Sequence, residues 1–73
     1  MQRKEKAMQT FSKLKGRMKE LNLTQEDVSH ALGISIQSFN KKINGKVPFK
    51  LEEVVVITDL LDISSEVKEY FFN

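Results

Sequence analysis

The 73-residue sequence has no cysteine, a single histidine, a single proline and three glycines. Without cysteine there is no disulfide framework and no thiolate metal site. With His30 as the sole histidine, zinc sites built from two or more His or Cys ligands are excluded. No nucleophile–base–acid set accompanies His30, no glycine-rich loop is present to cradle a phosphate, and no carboxylate pair flanks a pocket residue. The expectation is therefore a non-enzyme without metal or cofactor, with His30 a surface residue. Asp59 and Asp62 read as solvated charges near a helix end. The longest apolar run, Val54-Val55-Val56-Ile57, falls far short of the ~20 residues that span a bilayer. The charged start, Met1 to Lys6, has no apolar stretch behind it and does not read as a signal peptide. A soluble protein without membrane contact is expected.

What is present is a globular composition, with 40% hydrophobic and 30% charged residues. Two cores do not fit in this length. One small core is marginal, and self-association would help it. The formal net charge of +2 hides a gradient: residues 1–22 carry a net +5, residues 23–50 a net +2, and residues 51–73 a net −5. A basic front and an acidic end suggest two faces, of which the first suits a polyanion. The competing reading is that these charges are solvated helix faces.

Residues 1–9 read as a basic arm that either follows a groove or lacks fixed structure; residues 10–73 read as one domain. Phe11, Leu14, Met18 and Leu21 recur at helical spacing. Gly16 interrupts that helix, through a close backbone approach or as a plain weakness. Asn22 suits the left-handed exit. Thr24 with Asp27 three residues on forms a capping-box pattern, followed by a buried stripe of Val28, Ala31 and Leu32. Gly33 stops this helix, and Ser35 caps a third with Ile36, Phe39 and Ile43 on its apolar side. Asn44-Gly45 ends it, and Pro48 marks a loop over 46–50. Residues 51–61 carry four β-branched residues in a row, a strand preference. A lone strand would have no partner, and Leu51, Val54/Val55, Thr58 and Leu61 keep helical spacing, so a helix is expected. Ser64 or Ser65 caps a last short helix through Tyr70. The fold class is all-α, a compact four- to five-helix domain.

The informative segment is about 25–44. Two short helices joined by a glycine-containing turn have the layout of a helix-turn-helix. Gly33 supplies the positive φ of the turn. Ser29 is small where the second helix crosses, and Val28, Leu32, Ile34 and Phe39 can lock the pair. Ser35, Gln37, Ser38, Asn40 and Lys41 give the second helix an exposed polar start.

Residues from about Phe11 to Phe72 resemble the small DNA-binding domain of the phage-repressor and Cro-like (XRE-type, lambda-repressor-like) helix-turn-helix family. The resemblance is carried by Leu23-Thr24-Gln25-Glu26-Asp27-Val28, Leu32-Gly33-Ile34-Ser35, Phe39 and Asn44-Gly45-Lys46. It departs at Ser29, where the family usually has alanine, and at Lys42, where the family usually has an apolar residue; Ile43 is the candidate to take over that packing. The resemblance implies a stand-alone regulator of transcription, of the repressor type, that binds double-stranded DNA as a dimer on a pseudo-palindrome. It would work in the cytoplasm, at the nucleoid, or in a host cell if phage-encoded. It implies base contacts from Ile36, Gln37, Asn40 and Lys41, with the two amides suited to adenine, the lysine to guanine and the isoleucine to a thymine methyl. It implies backbone contacts from Gln25, Ser35, Ser38, Lys42, Asn44 and Lys46. Each has a plainer rival: Gln25 as a helix-start residue, Ile36 as packing, Lys41 and Lys42 as solvated charges.

Three adjacent aromatics, Tyr70-Phe71-Phe72, cannot all face one helical stripe. With Val56 on the far side of the fourth helix, they are candidates for a homodimer surface. The alternative is that Phe71 and Phe72 close a very small core. A second functional reading is a helical protein-interaction module, antitoxin-like or a regulatory partner, on the same scaffold. No small-molecule ligand is evident.

Overall fold

The computed structural model describes residues 11–71, and these form five α-helices and a short 3₁₀ turn, with no strand among them. They are α1 (Ser12–Glu20), α2 (Gln25–Leu32), α3 (Ile36–Ile43), α4 (Leu51–Leu60) and α5 (Val67–Phe71), the last entered through the 3₁₀ turn Ser64–Glu66. The all-α, five-helix expectation holds. The basic arm expected over 1–9 lies outside the described residues, as does Phe72.

One exit device is repeated four times. Asn22, Gly33, Gly45 and Asp62 all have positive φ, between 57° and 81°. These residue types tolerate the left-handed region best. After each, the next N–H reaches five residues back: Leu23 to Met18, Ile34 to Ser29, Lys46 to Lys41 and Ile63 to Thr58, at 2.8–3.1 Å. Each bond satisfies a carbonyl in a helix's last turn, as in a Schellman closure. Leu23, Ile34 and Ile63 then turn inward against the core. Sharp reversals between short helices follow, and α2 packs on both α3 and α4 while α1 packs on α5.

Leu14, Met18, Val28, Phe39, Ile43, Ile57, Leu61, Ile63 and Phe71 form the buried core. Phe11, Phe49 and Phe71 cluster at one end, with ring centroids 5.3–5.8 Å apart in edge-on or tilted contact, geometries that aromatic quadrupoles favour. Of the two readings for Phe71, dimer surface or closure of a small core, the second holds: it is buried against the rings of Phe11 and Phe49. Arg17 Nε donates to the Leu61 carbonyl at 2.9 Å and ties α1 to the end of α4.

Several burial expectations are corrected. Leu21 and Ala31 are exposed, and Ser29 takes the place in the α2 stripe that Ala31 was expected to fill. Gly16 sits in an unbroken helix with nothing among the described residues within 4 Å of where a Cβ would be. The largest change is in α4. Leu51 and Val55, expected inside, are 77% and 59% exposed. Thr58 and Leu61 face inward as expected, with Val54 half-buried, and Glu53 and Ile57 join them there.

Candidate nucleic-acid interface

Helix α2 begins where two local bonds fix it. The Thr24 hydroxyl accepts from the Asp27 N–H at 3.1 Å, and the Thr24 N–H donates to the Asp27 carboxylate at 2.9 Å. The backbone N–H and hydroxyl of Thr24 hold the Asp27 carboxyl below its ordinary value. The helix ends at Gly33, with φ 72°. Ser29 is buried, its hydroxyl donating to the Glu26 carbonyl at 3.0 Å, so its polar atom is not stranded. Ser35 then starts α3, accepting from the Ser38 N–H and donating to the Ser38 hydroxyl, both at 3.1 Å. The result is helix, tight left-handed turn, helix, at the positions expected for a helix-turn-helix.

Phe39 and Ile43 anchor α3 in the core, so the opposite side of the helix faces outward. Ile36, Gln37, Asn40 and Lys41, the four residues expected to touch bases, line a shallow open depression of about 480 Å³ together with Gln25 and Lys46. Ile36 is 42% exposed. It belongs to the outer surface and not to the apolar packing side. Among the described residues the lining holds two lysines and no acid. Across the depression, Asn40 Nδ2 donates to Gln25 Oε1 at 3.1 Å. This bond joins the start of α2 to the middle of α3. It orients both amides and leaves the Asn40 carbonyl oxygen and the Gln25 amide donors directed by that pairing. Ser35 and Ser38 are exposed at the N-terminal end of α3, beside the depression.

Two expected backbone-contact residues are used inside the fold. Lys42 is only 8% exposed, and its ammonium donates to both carboxylate oxygens of Glu53 at 2.7 Å. It points away from the outer face of α3 because the pair lies on the α4 side, next to Ile43. Asn44 is half-buried: its Oδ1 accepts from Lys15 Nζ at 3.1 Å, and its Nδ2 donates to the Asn40 carbonyl at 2.9 Å. Lys46 stays exposed, with its backbone N–H closing the α3 exit. His30 is exposed on α2.

Glu53 is the residue the sequence reading passed over. Its carboxylate also accepts the Lys50 N–H at 2.9 Å, in the first turn of α4. Burial pushes its pKa up, but hydrogen bonds from the Lys42 ammonium and the Lys50 N–H, and the charges of both lysines, outweigh that and leave it lowered. The available signal was Lys42 itself: a lysine in a place where packing wants an apolar side chain needs a buried acid nearby.

Among the described residues no group of three or more His, Cys, Asp or Glu side chains could hold a metal ion. No helix among them is long and apolar enough to cross a membrane. A family model described as "Protein of unknown function (DUF739)" matches residues 8–73. No curated protein and no solved structure matches the chain.

Proposed function

The chain belongs to the DUF739 family, and we propose that it is a sequence-specific DNA-binding regulator of transcription that acts as a repressor of the Cro-like, XRE type. The observation that carries this reading is the joint outer face of α2 and α3. Gln25, Ile36, Gln37, Asn40, Lys41 and Lys46 meet in one open depression, with no acid among its described lining residues, over a helix whose other side is pinned in the core. A major groove needs such a helix: rigidly held, polar at its start, cationic at its end. Gln37, Asn40 and Lys41 are the base readers, with Ile36 against a thymine methyl. Gln25, Ser35, Ser38 and Lys46 serve the phosphates. Lys42 is withdrawn from that set because its charge is already met by Glu53.

The working form is a homodimer, with no small-molecule ligand, in the cytoplasm where DNA is accessible. Leu51, Val55, Val56 and Leu60 lie on the outer side of α4 and are all exposed among the described residues. A second copy is the occupant that the DNA itself favours. The described residues measure 36 × 27 × 22 Å. A twofold pair reading two half-sites needs its recognition helices about one DNA turn, ~34 Å, apart. Sedimentation of the free chain and of a Leu51→Lys/Val55→Lys variant tests this. The wild type is expected to sediment as a dimer on DNA carrying two half-sites, and the variant as a monomer with much weaker binding.

Binding to random and selected duplexes tests the DNA reading. Enriched half-sites support it. Weak, salt-sensitive binding with no enriched sequence would refute it in favour of a protein-interaction module.

A further inference from the structure

Helix α3 is held in the core by Phe39 and Ile43, both fully buried. Apolar contacts of this kind fix depth well and rotation poorly, because they are non-directional. Buried with them, on the α4 side next to Ile43, is Lys42, whose ammonium makes two 2.7 Å bonds to Glu53. Glu53 is itself fixed by the Lys50 N–H at 2.9 Å, at the start of α4. Both partners are nearly sequestered, at 8% and 6% exposure. A connected line of directional bonds thus runs from the first turn of α4 into the last turn of α3. Lys42 is adjacent to Lys41 and two residues from Asn40, which both line the outer depression.

A buried ion pair is a poor way to gain stability, since a well-packed apolar pair of similar volume often does as well or better. Its better-attested use is to select one register among several that packing alone would tolerate. Resting on the DNA-binding function proposed above, we infer that Lys42 and Glu53 are positioning residues for the recognition helix: they set its rotation about its own axis, and so which bases Asn40 and Lys41 meet. Neither touches DNA. Sequence discrimination, more than affinity or stability, is the property they control.

The test compares the wild-type chain with Lys42→Met/Glu53→Leu, an apolar replacement of the pair, and with Ile63→Val, a mild core truncation in the α4–α5 turn. For each, melting temperature, affinity for the sequence selected by the wild type, affinity for random duplex, and the salt dependence of both are measured. The double variant is expected to melt close to the wild type or above it. Its discrimination between selected and random DNA falls about tenfold, the equivalent of one good base contact, while random-duplex affinity and salt dependence hold. Ile63→Val melts lower and discriminates as the wild type does. Unchanged discrimination in the double variant overturns the inference. So does failure of that variant to fold, which makes the pair a stability device, and so does an equal loss in Ile63→Val, which makes the effect general loosening. A wild-type chain that enriches no sequence is read before either variant, and it overturns the DNA-binding proposal and this one with it.

Discussion

Gln37, Asn40 and Lys46 share one depression, but the DNA reading gives them different work. Gln37→Ala or Asn40→Ala should relax preference at single base positions by ~1–3 kcal/mol, seen as a narrowed gap between selected and altered duplexes. Asn40→Ala also releases Gln25 from its 3.1 Å bond, so its effect should be the broader one. Lys46→Ala should weaken binding to all sequences alike and reduce the salt slope by about one phosphate contact. The Lys42–Glu53 pair makes a separate prediction about stability. Lys42→Ala leaves a buried carboxylate uncompensated and should cost about 3–5 kcal/mol in a denaturant titration. The pH dependence has a definite sign. The pKa of Glu53 is lowered in the folded state from an ordinary 4.5. Its contribution is therefore present above that value and is lost as pH falls through the lower folded one. Wild type and Glu53→Gln should converge in stability as the pH drops below the ordinary carboxylate range, and a gap that widens there would contradict the assignment.

Helix boundaries were legible wherever one residue's local chemistry decides them. Thr24 with Asp27, Ser35 with Ser38, and the left-handed exits at Asn22 and Gly33 need no knowledge of the rest of the chain. Asp62 makes a fourth such exit, but its carboxylate looks like any solvated charge in sequence. The face of α4 was not legible. Val54 to Ile57 are apolar without a break, so periodicity does not say which side is inner. The choice falls to Glu53, drawn in by Lys42, which carries Ile57 inward one turn later and leaves Leu51 and Val55 outside. The glycines separate in the same way. Gly16→Ala meets nothing within 4 Å in a helix interior and should stabilise the chain by about 0.4–1 kcal/mol. Gly33→Ala forces a Cβ onto a φ of 72° and should destabilise it by about 1–2 kcal/mol. Thr24→Ala should cost about 1 kcal/mol through loss of the capping box. Thermal or denaturant unfolding of the three variants checks all three signs.

The molecule as a whole separates its charges along the chain. Residues 1–50 carry a net +7 and residues 51–73 a net −5. The recognition depression draws on the first set, with Lys41 and Lys46 in its lining. The acidic set includes Glu52 and Asp59 on the exposed side of α4, beside the exposed apolar residues. If the DNA proposal holds, association with DNA should slow steeply as salt rises. Phe71 completes the core with Phe11 and Phe49, while Leu51 and Val55 on α4 stay exposed. The most direct measurement is selection of bound duplexes from a random-sequence pool at physiological salt, followed by sequencing. Two related half-sites about one helical turn apart are the predicted result. Binding that is weak, salt-sensitive and indifferent to sequence would contradict the account.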